Sequence, residues 1–210
     1  MLRLVGTGRV HGAVVALEPV SLAVDPGTVT AVVGANGSGK STLLRLAAGV
    51  LEPSSGWRDR PGRSLYLLGG HGARAAESAI AAVTSAAALA GTAPAGTARA
   101  QAVAALAVVG LGERSNRSVR SLSSGERARV TLAVALACRA DLICLDEPTA
   151  HLDETGAGVV PDVLVTLRGR GSAVLVATHD PERFGWPVDA ILRLDAGRVT
   201  APAATSGWSP

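Results

Sequence analysis

The sequence predicts an α/β fold: a parallel sheet covered by helices on both faces, carrying an N-terminal antiparallel sheet and an inserted helical segment. Three observations predict it. From Ser123 onward, short continuous apolar runs such as Leu142 to Leu145 and Ala173 to Thr178 alternate with helix-length segments, the pattern of strands buried on both faces. Earlier in the chain, the β-branched run Thr28 to Val33 leads through a glycine-rich loop into an apolar-periodic stretch, Lys40 to Ala48, that Gly49 ends. Between these regions the chain turns Ala-rich from Ala73 to Val109, with helical propensity interrupted around Gly91 to Gly96.

Taken in order, Val14 to Val24 reads as strands with a break at Glu18 and Pro19, and Asp25-Pro26-Gly27 is a turn signal, which together predict the antiparallel sheet. Thr28 to Val33 is a strand, residues 34 to 39 a loop, and Lys40 to Ala48 a helix. Arg63 to Leu68 is a further strand. The Ala-rich segment is a helical insertion, about Gly72 to Arg120. A helix then runs from Ser123 to about Cys138, followed by the strand Leu142 to Leu145, a helix near Asp153 to Leu167, and the strand Ala173 to Thr178.

The 210 residues suit one domain, residues 1–210, with a core filled by Ala, Val and Leu, because only 2% of residues are aromatic. A net charge of +3 is spread over scattered arginines, and Lys40 is the sole lysine, so no nucleic-acid partner is expected. Cys138 and Cys144 have no second pair with which to build a zinc or disulfide framework and read as small buried residues of a reducing compartment. The N-terminus lacks the apolar core of a secretion signal. Ser78 to Ala98 is uncharged but too rich in Ala, Gly, Thr and Ser, with Pro94 inside it, to insert in a bilayer, so a membrane role requires a partner chain.

The residues Gly34-Ala35-Asn36-Gly37-Ser38-Gly39-Lys40-Ser41, continuing to Thr42, satisfy the Walker A pattern in the strand–loop–helix context it requires. Glycines let backbone N–H groups converge on phosphate oxygens, Lys40 reaches the β- and γ-phosphates, and Ser41 can ligate Mg²⁺. A loop using glycine only for turning would explain neither the lysine nor the hydroxyl after it. The strand Leu142 to Leu145 ends in Asp146 and Glu147, at the sheet edge where ligands bind. Asp146 is placed to hold the hydration shell of Mg²⁺ and Glu147 to polarise an attacking water, although two such acids standing alone could be solvated loop residues. Leu122-Ser123-Ser124-Gly125-Glu126 admits two compatible readings. Ser123 and Glu126 form a capping box, while Gly125, unfavourable in a first turn, suits a helix start that approaches a phosphate. His179 follows another apolar strand at the same edge.

These motifs, in this order, resemble the ATP-binding cassette (ABC) ATPase family over nearly the whole chain. Walker A, the signature Leu122 to Glu126, Walker B Leu142 to Asp146, Glu147, the D-loop Ala150-His151-Leu152-Asp153 and the switch histidine His179 all have counterparts there. The resemblance implies a P-loop NTPase, RecA-like core with the antiparallel β-subdomain and inserted α-helical subdomain. It implies ATP and Mg²⁺ as cofactors, and two cassettes packed head to tail so that Walker A of one and the signature of the other enclose each ATP. Ser123 and Gly125 would then touch the γ-phosphate held by the opposite protomer, Asp153 would cross the interface, Glu147 would be the general base and His179 would contact the γ-phosphate. The second cassette would be a copy or a paralogue, and the helical insertion would dock on a transmembrane subunit, which implies a cytoplasmic chain peripheral to the inner face of the cell membrane.

Two departures from the family pattern stand out. The aromatic residue on which the family stacks adenine is replaced by His11-Gly12, which makes His11 the expected base contact. The family's glutamine after the strand Arg63 to Leu68 is replaced by Gly69, Gly70 and His71, and the only glutamine is Gln101. His71 is therefore the candidate link between nucleotide state and a membrane partner contacting residues 69 to 75. Tyr66 to His71 is loosely similar to the Tyr-Leu-Gly-His of haem-exporter ATPases. The expected function is an ATP-hydrolysing transporter subunit, with export the favoured direction. The alternatives are a soluble cassette of the iron–sulfur assembly type and a weakly hydrolysing partner of a second cassette.

Overall fold

The computed structural model describes residues 1–70, 76–91, 96–179 and 185–201, apart from the side chain of residue 155. Its strands are β1 (Leu2–His11), β2 (Val14–Val24), β3 (Val29–Val33), β4 (Ser55–Asp59), β5 (Ser64–Leu68), β6 (Leu142–Asp146), β7 (Ala173–Thr178), β8 (Ala190–Asp195) and β9 (Arg198–Ala201). The helices are α1 (Lys40–Ala48), α2 (Ala79–Leu89), α3 (Ala98–Val108), α4 (Ser124–Cys138), α5 (Glu154–Ala157) and α6 (Val159–Gly169).

The main sheet has the order β5-β6-β7-β3-β8-β9, parallel throughout except for β9, which returns antiparallel along β8. Every residue of β3, β6 and β7 is buried, as their unbroken apolar runs require. Side chains alternate between two cores. On one face Leu142, Cys144, Leu175 and Val32 pack with Leu43, Leu44 and Leu46 of α1 and with the inward residues of β1 and β2. On the other, Ile143, Leu145, Val174, Val176 and Ala31 pack with α4, α6, α2 and α3.

β2, β1 and β4 form the expected antiparallel sheet. The break foreseen at Glu18 and Pro19 proves to be an irregularity within one strand: pairing jumps from Thr7 and Val20 to Arg9 and Leu17, because Pro19 has no N–H to give to a ladder. The helix foreseen from Asp153 to Leu167 is two, α5 and α6, parted at Gly158. Pro161 falls in the first turn of α6, where its missing N–H is tolerated. β1, β4, β8 and β9 had no counterpart in the expected order. Among the described residues no helix is long and apolar enough to cross a membrane.

Register sets where chemistry can occur. Val33 of β3 lies beside Thr178 of β7, Ala177 beside Asp146 of β6, and Asp146 beside Leu68 of β5. Four carboxyl ends therefore reach one level, and the loops that leave them meet.

Leu175 is fully buried in the central strand, whereas Val165 on α6 is 55% exposed. Leu175→Ala should cost about 2–5 kcal/mol in urea unfolding and Val165→Ala no more than about 0.5 kcal/mol. Equal losses for the two would contradict the placement of β7.

Candidate functional site

The glycine-rich loop leaves β3 and delivers the chain to α1. Gly39 is the helix N-cap, at φ 100, and no side chain caps the first turn, nor does any acidic residue stand in it. By contrast α2 is capped by Ser78 and α4 by Ser123. The N–H groups and positive dipole end of α1 are thus left for an external anion. The loop is tied to its surroundings: Gly197 N donates to Ser38 O at 3.1 Å, and Glu18 N donates to Gly197 O at 2.8 Å. Residues 36 to 42 line a cleft of about 420 Å³ together with Val14, Val15, Ala16, Glu147, Ala196 and Gly197.

Lys40 is 94% buried, with 6% of its surface exposed. Its Nζ donates to the carbonyls of Gly34 at 2.7 Å and Ala35 at 3.1 Å and lies 3.4 Å from Oε1 of Glu147. Nε2 of His179 is 3.3 Å from the same oxygen. The sole lysine, the glutamate after β6 and the histidine after β7 thus converge on one point, although no hydrogen bond with sound geometry reaches Oε1. Glu147 has φ 50, a left-handed conformation uncommon for a residue with a side chain, and such strain concentrates at functional sites.

Asp146 is 1% exposed. Tyr66 on β5 donates its hydroxyl to Oδ2 of Asp146 at 2.6 Å, and Nε of Arg45 on α1 donates to that hydroxyl at 3.1 Å. The Arg45 guanidinium also lies 5.5 Å from the centre of the ring. Oδ1 of Asp146 is buried without a partner. Burial first, and then the bond to Asp146, pushes the Tyr66 hydroxyl up to about 12.

Ser123 caps α4 as the sequence requires: its hydroxyl accepts from Glu126 N at 3.1 Å while Ser123 N donates to Oε2 of Glu126 at 2.8 Å. The bond from Ser123 N is the first cause of a Glu126 carboxyl held below its usual range, aided by its ion pair with Arg114. Gly125 has a reason within its own chain, since a Cβ there would stand 3.2 Å from the carbonyl oxygen of His151. Asp153 caps α5, accepting from Gly156 N at 2.8 Å. None of Leu122 to Glu126 lines the cleft around Lys40.

His11 stands exposed at the end of β1, paired with Val14, and is not among the residues lining the cleft, where Val14 and Val15 take that edge. Gly69 donates its N–H to Asp146 O at 2.9 Å, and a Cβ there would fall 2.2 Å from the carbonyl oxygen of Glu147. His71 and Gly72 lie outside the described residues. Ala196 and Gly197 went unforeseen, although the alternation Leu192, Arg193, Leu194, Asp195 ahead of an Ala-Gly turn is a strand-and-hairpin signal. Cys144 and Cys138 are buried thiols, Cys138 raised to about 11 by burial, which leaves them unreactive.

With this geometry in place, the profile described as "ABC transporter" matches residues 17–150. The chain is 34% identical to the phosphate import ATP-binding protein PstB 2 of Natronomonas pharaonis, over 97% of this chain and 80% of that protein. It is also 34% identical to the lipoprotein-releasing system ATP-binding protein LolD of Chromohalobacter salexigens, over 97% of this chain and 94% of that one. The dimeric structure of a post-hydrolysis state of the ATP-binding cassette MJ0796, bound to ADP and Pi, superposes with a TM-score of 0.81 at 25% identity, covering 96% of this chain and 97% of that one.

Because Tyr66 is the only tyrosine, ultraviolet absorbance of the phenolate reads it alone. The folded protein should titrate near about 12 and the urea-unfolded chain near about 10. A group whose folded value is raised contributes stability that is full below about 10 and is lost as pH climbs from about 10 to about 12. A folded-state midpoint equal to that of the unfolded chain would contradict the bond to Asp146.

Proposed function

Because this chain belongs to the ABC transporter ATP-binding family, we propose that it is the ATP-hydrolysing cassette of a membrane transporter, acting head to tail with a second copy of itself. The observation that carries the reading is the convergence of Lys40, Glu147 and His179 within 3.4 Å at a cleft whose floor is the uncapped start of α1. That arrangement supports binding of a nucleotide's phosphates and activation of water beside them.

In this mechanism the N–H groups of residues 37 to 42 hold the phosphate oxygens, and Lys40 turns its ammonium to the β- and γ-phosphates. Glu147 accepts a hydrogen bond from the attacking water and takes its proton as the oxygen bonds to the γ-phosphorus. The bond from phosphorus to the bridging oxygen breaks, and ADP leaves with that oxygen. His179 donates to the γ-phosphate. Mg²⁺ fits the residues present: the unpartnered, buried Oδ1 of Asp146 is an oxygen with spare acceptor capacity, and Ser41, which carries a hydroxyl, is among the residues lining the cleft. Those two residues would hold the ion, which neutralises charge on the phosphates.

A second copy supplies what this cleft lacks. Ser123 and Gly125 stand outside the lining of their own chain's cleft, and we assign them to the γ-phosphate of the partner, with Asp153 at the shared interface. The chain carries both halves of such a site, which supports self-pairing. We assign residues 1–210 to one nucleotide-binding domain and the segment of about 72–120 to its helical insertion. Leu89, Val103 and Val108 on α2 and α3 are exposed apolar residues, suited to a transmembrane partner that would hold the chain at the cytoplasmic face of the membrane. The segment 69–75 would couple the two, with His71 in the role of the missing glutamine. Relatives named for import and for release are equally similar, so the proposal carries either direction. At the base, Val14 and Val15 offer aliphatic contact where His11 was expected.

Glu147→Gln keeps the side chain's shape and removes the proton acceptor. ATP binding should persist, ATP-bound dimers should accumulate on size exclusion, and steady-state hydrolysis should fall by about a hundredfold or more. Hydrolysis close to that of the wild type would remove Glu147 from the role of base.

A further inference from the structure

One oxygen of Asp146 is fixed and the other is free. Tyr66 pairs with Cys144 across β5 and β6, and Asp146 lies two residues beyond Cys144. Successive alternate residues share a face, so Tyr66 and Asp146 are diagonal neighbours on the face that α1 covers, and the 2.6 Å bond from the Tyr66 hydroxyl to Oδ2 joins them. On α1, Arg45 follows Ser41 by four residues and therefore shares its face. The donor chain from Arg45 to Tyr66 to Asp146 thus runs between the helix that carries Ser41 and the strand that carries Asp146.

A bond serving stability alone would leave little reason for the second oxygen to stay unpaired at 1% exposure, since a buried acceptor without a partner is costly. Fixing one oxygen while sparing the other is the arrangement by which outer residues orient a metal ligand.

We propose that Tyr66, held by Arg45, is the positioning residue of the Mg²⁺-side carboxylate, locking Asp146 through Oδ2 so that Oδ1 remains available to the metal and its water. This rests on the assignment of Asp146 to Mg²⁺ made above. The ring need not change its protonation, because its hydroxyl donates to Asp146 while its oxygen accepts from Arg45.

The test is Mn²⁺ binding, followed by electron paramagnetic resonance, to the full chain loaded with a non-hydrolysable ATP analogue. Tyr66→Phe should weaken Mn²⁺ binding about tenfold or more while leaving analogue affinity in EDTA within about twofold of wild type. Asp146→Asn is measured beside it. Loss of Mn²⁺ affinity in Asp146→Asn with wild-type affinity in Tyr66→Phe overturns the positioning role and leaves the aspartate's role standing. Unchanged affinity in both removes the aspartate from the metal and the inference with it. Should circular dichroism show Tyr66→Phe unfolded, Arg45→Gln takes its place: a smaller loss of Mn²⁺ affinity is expected, and none overturns the proposal.

Discussion

The parallel pairing of β3 with β7, and of β7 with β6, is the constraint from which the site follows. Its register brings Val33, Thr178, Asp146 and Leu68 to one level, and in parallel sheets each strand hands its loop to the same edge. The glycine-rich loop, Glu147, His179 and Gly69 therefore meet although they are far apart in sequence. A slip of one residue in β6 would turn Asp146 to the other face and break its bond with Tyr66.

At that edge, opposing charges are kept close without being consumed. Lys40 is satisfied by two carbonyls of its own loop and only approaches Glu147, so the carboxylate retains acceptor capacity. The same economy governs Asp146, bound at one oxygen and open at the other. The glycine at position 69 belongs to this packing, because the Glu147 carbonyl occupies the space a side chain would need.

Much of this was legible in the sequence, for physical reasons. α1 and β7 have the expected bounds because Gly49 stops the helix and an unbroken apolar run has few alternatives in a two-layered sheet. The capping box at Ser123 was legible from two residues three apart. The N-terminal sheet was visible, but β4, Ser55–Asp59, is mostly exposed and polar and gives no periodic signal. Helix α6 split from α5 because Asp153 caps only a short turn before Gly158. His11 was chosen for its ring and its place in the chain; it pairs with Val14 at the end of the β1–β2 hairpin, and Val14 and Val15 line the cleft. The bond from Tyr66 to Asp146 spans 80 residues, and only the register of β5 against β6 could have revealed it.

The proposed function would divide the chemistry between two copies, one contributing Lys40 and Glu147 and the other Ser123 and Gly125. Complementation tests that division most directly, by assaying ATP hydrolysis of Lys40→Ala, of Gly125→Asp, and of the two mixed in equal amounts. Each alone should be nearly inactive. In the mixture, half the pairs are mixed and one of their two sites joins an intact loop to an intact signature, so hydrolysis should recover to about a quarter of the wild-type rate. A mixture no faster than the mean of the two variants would contradict a site shared between chains.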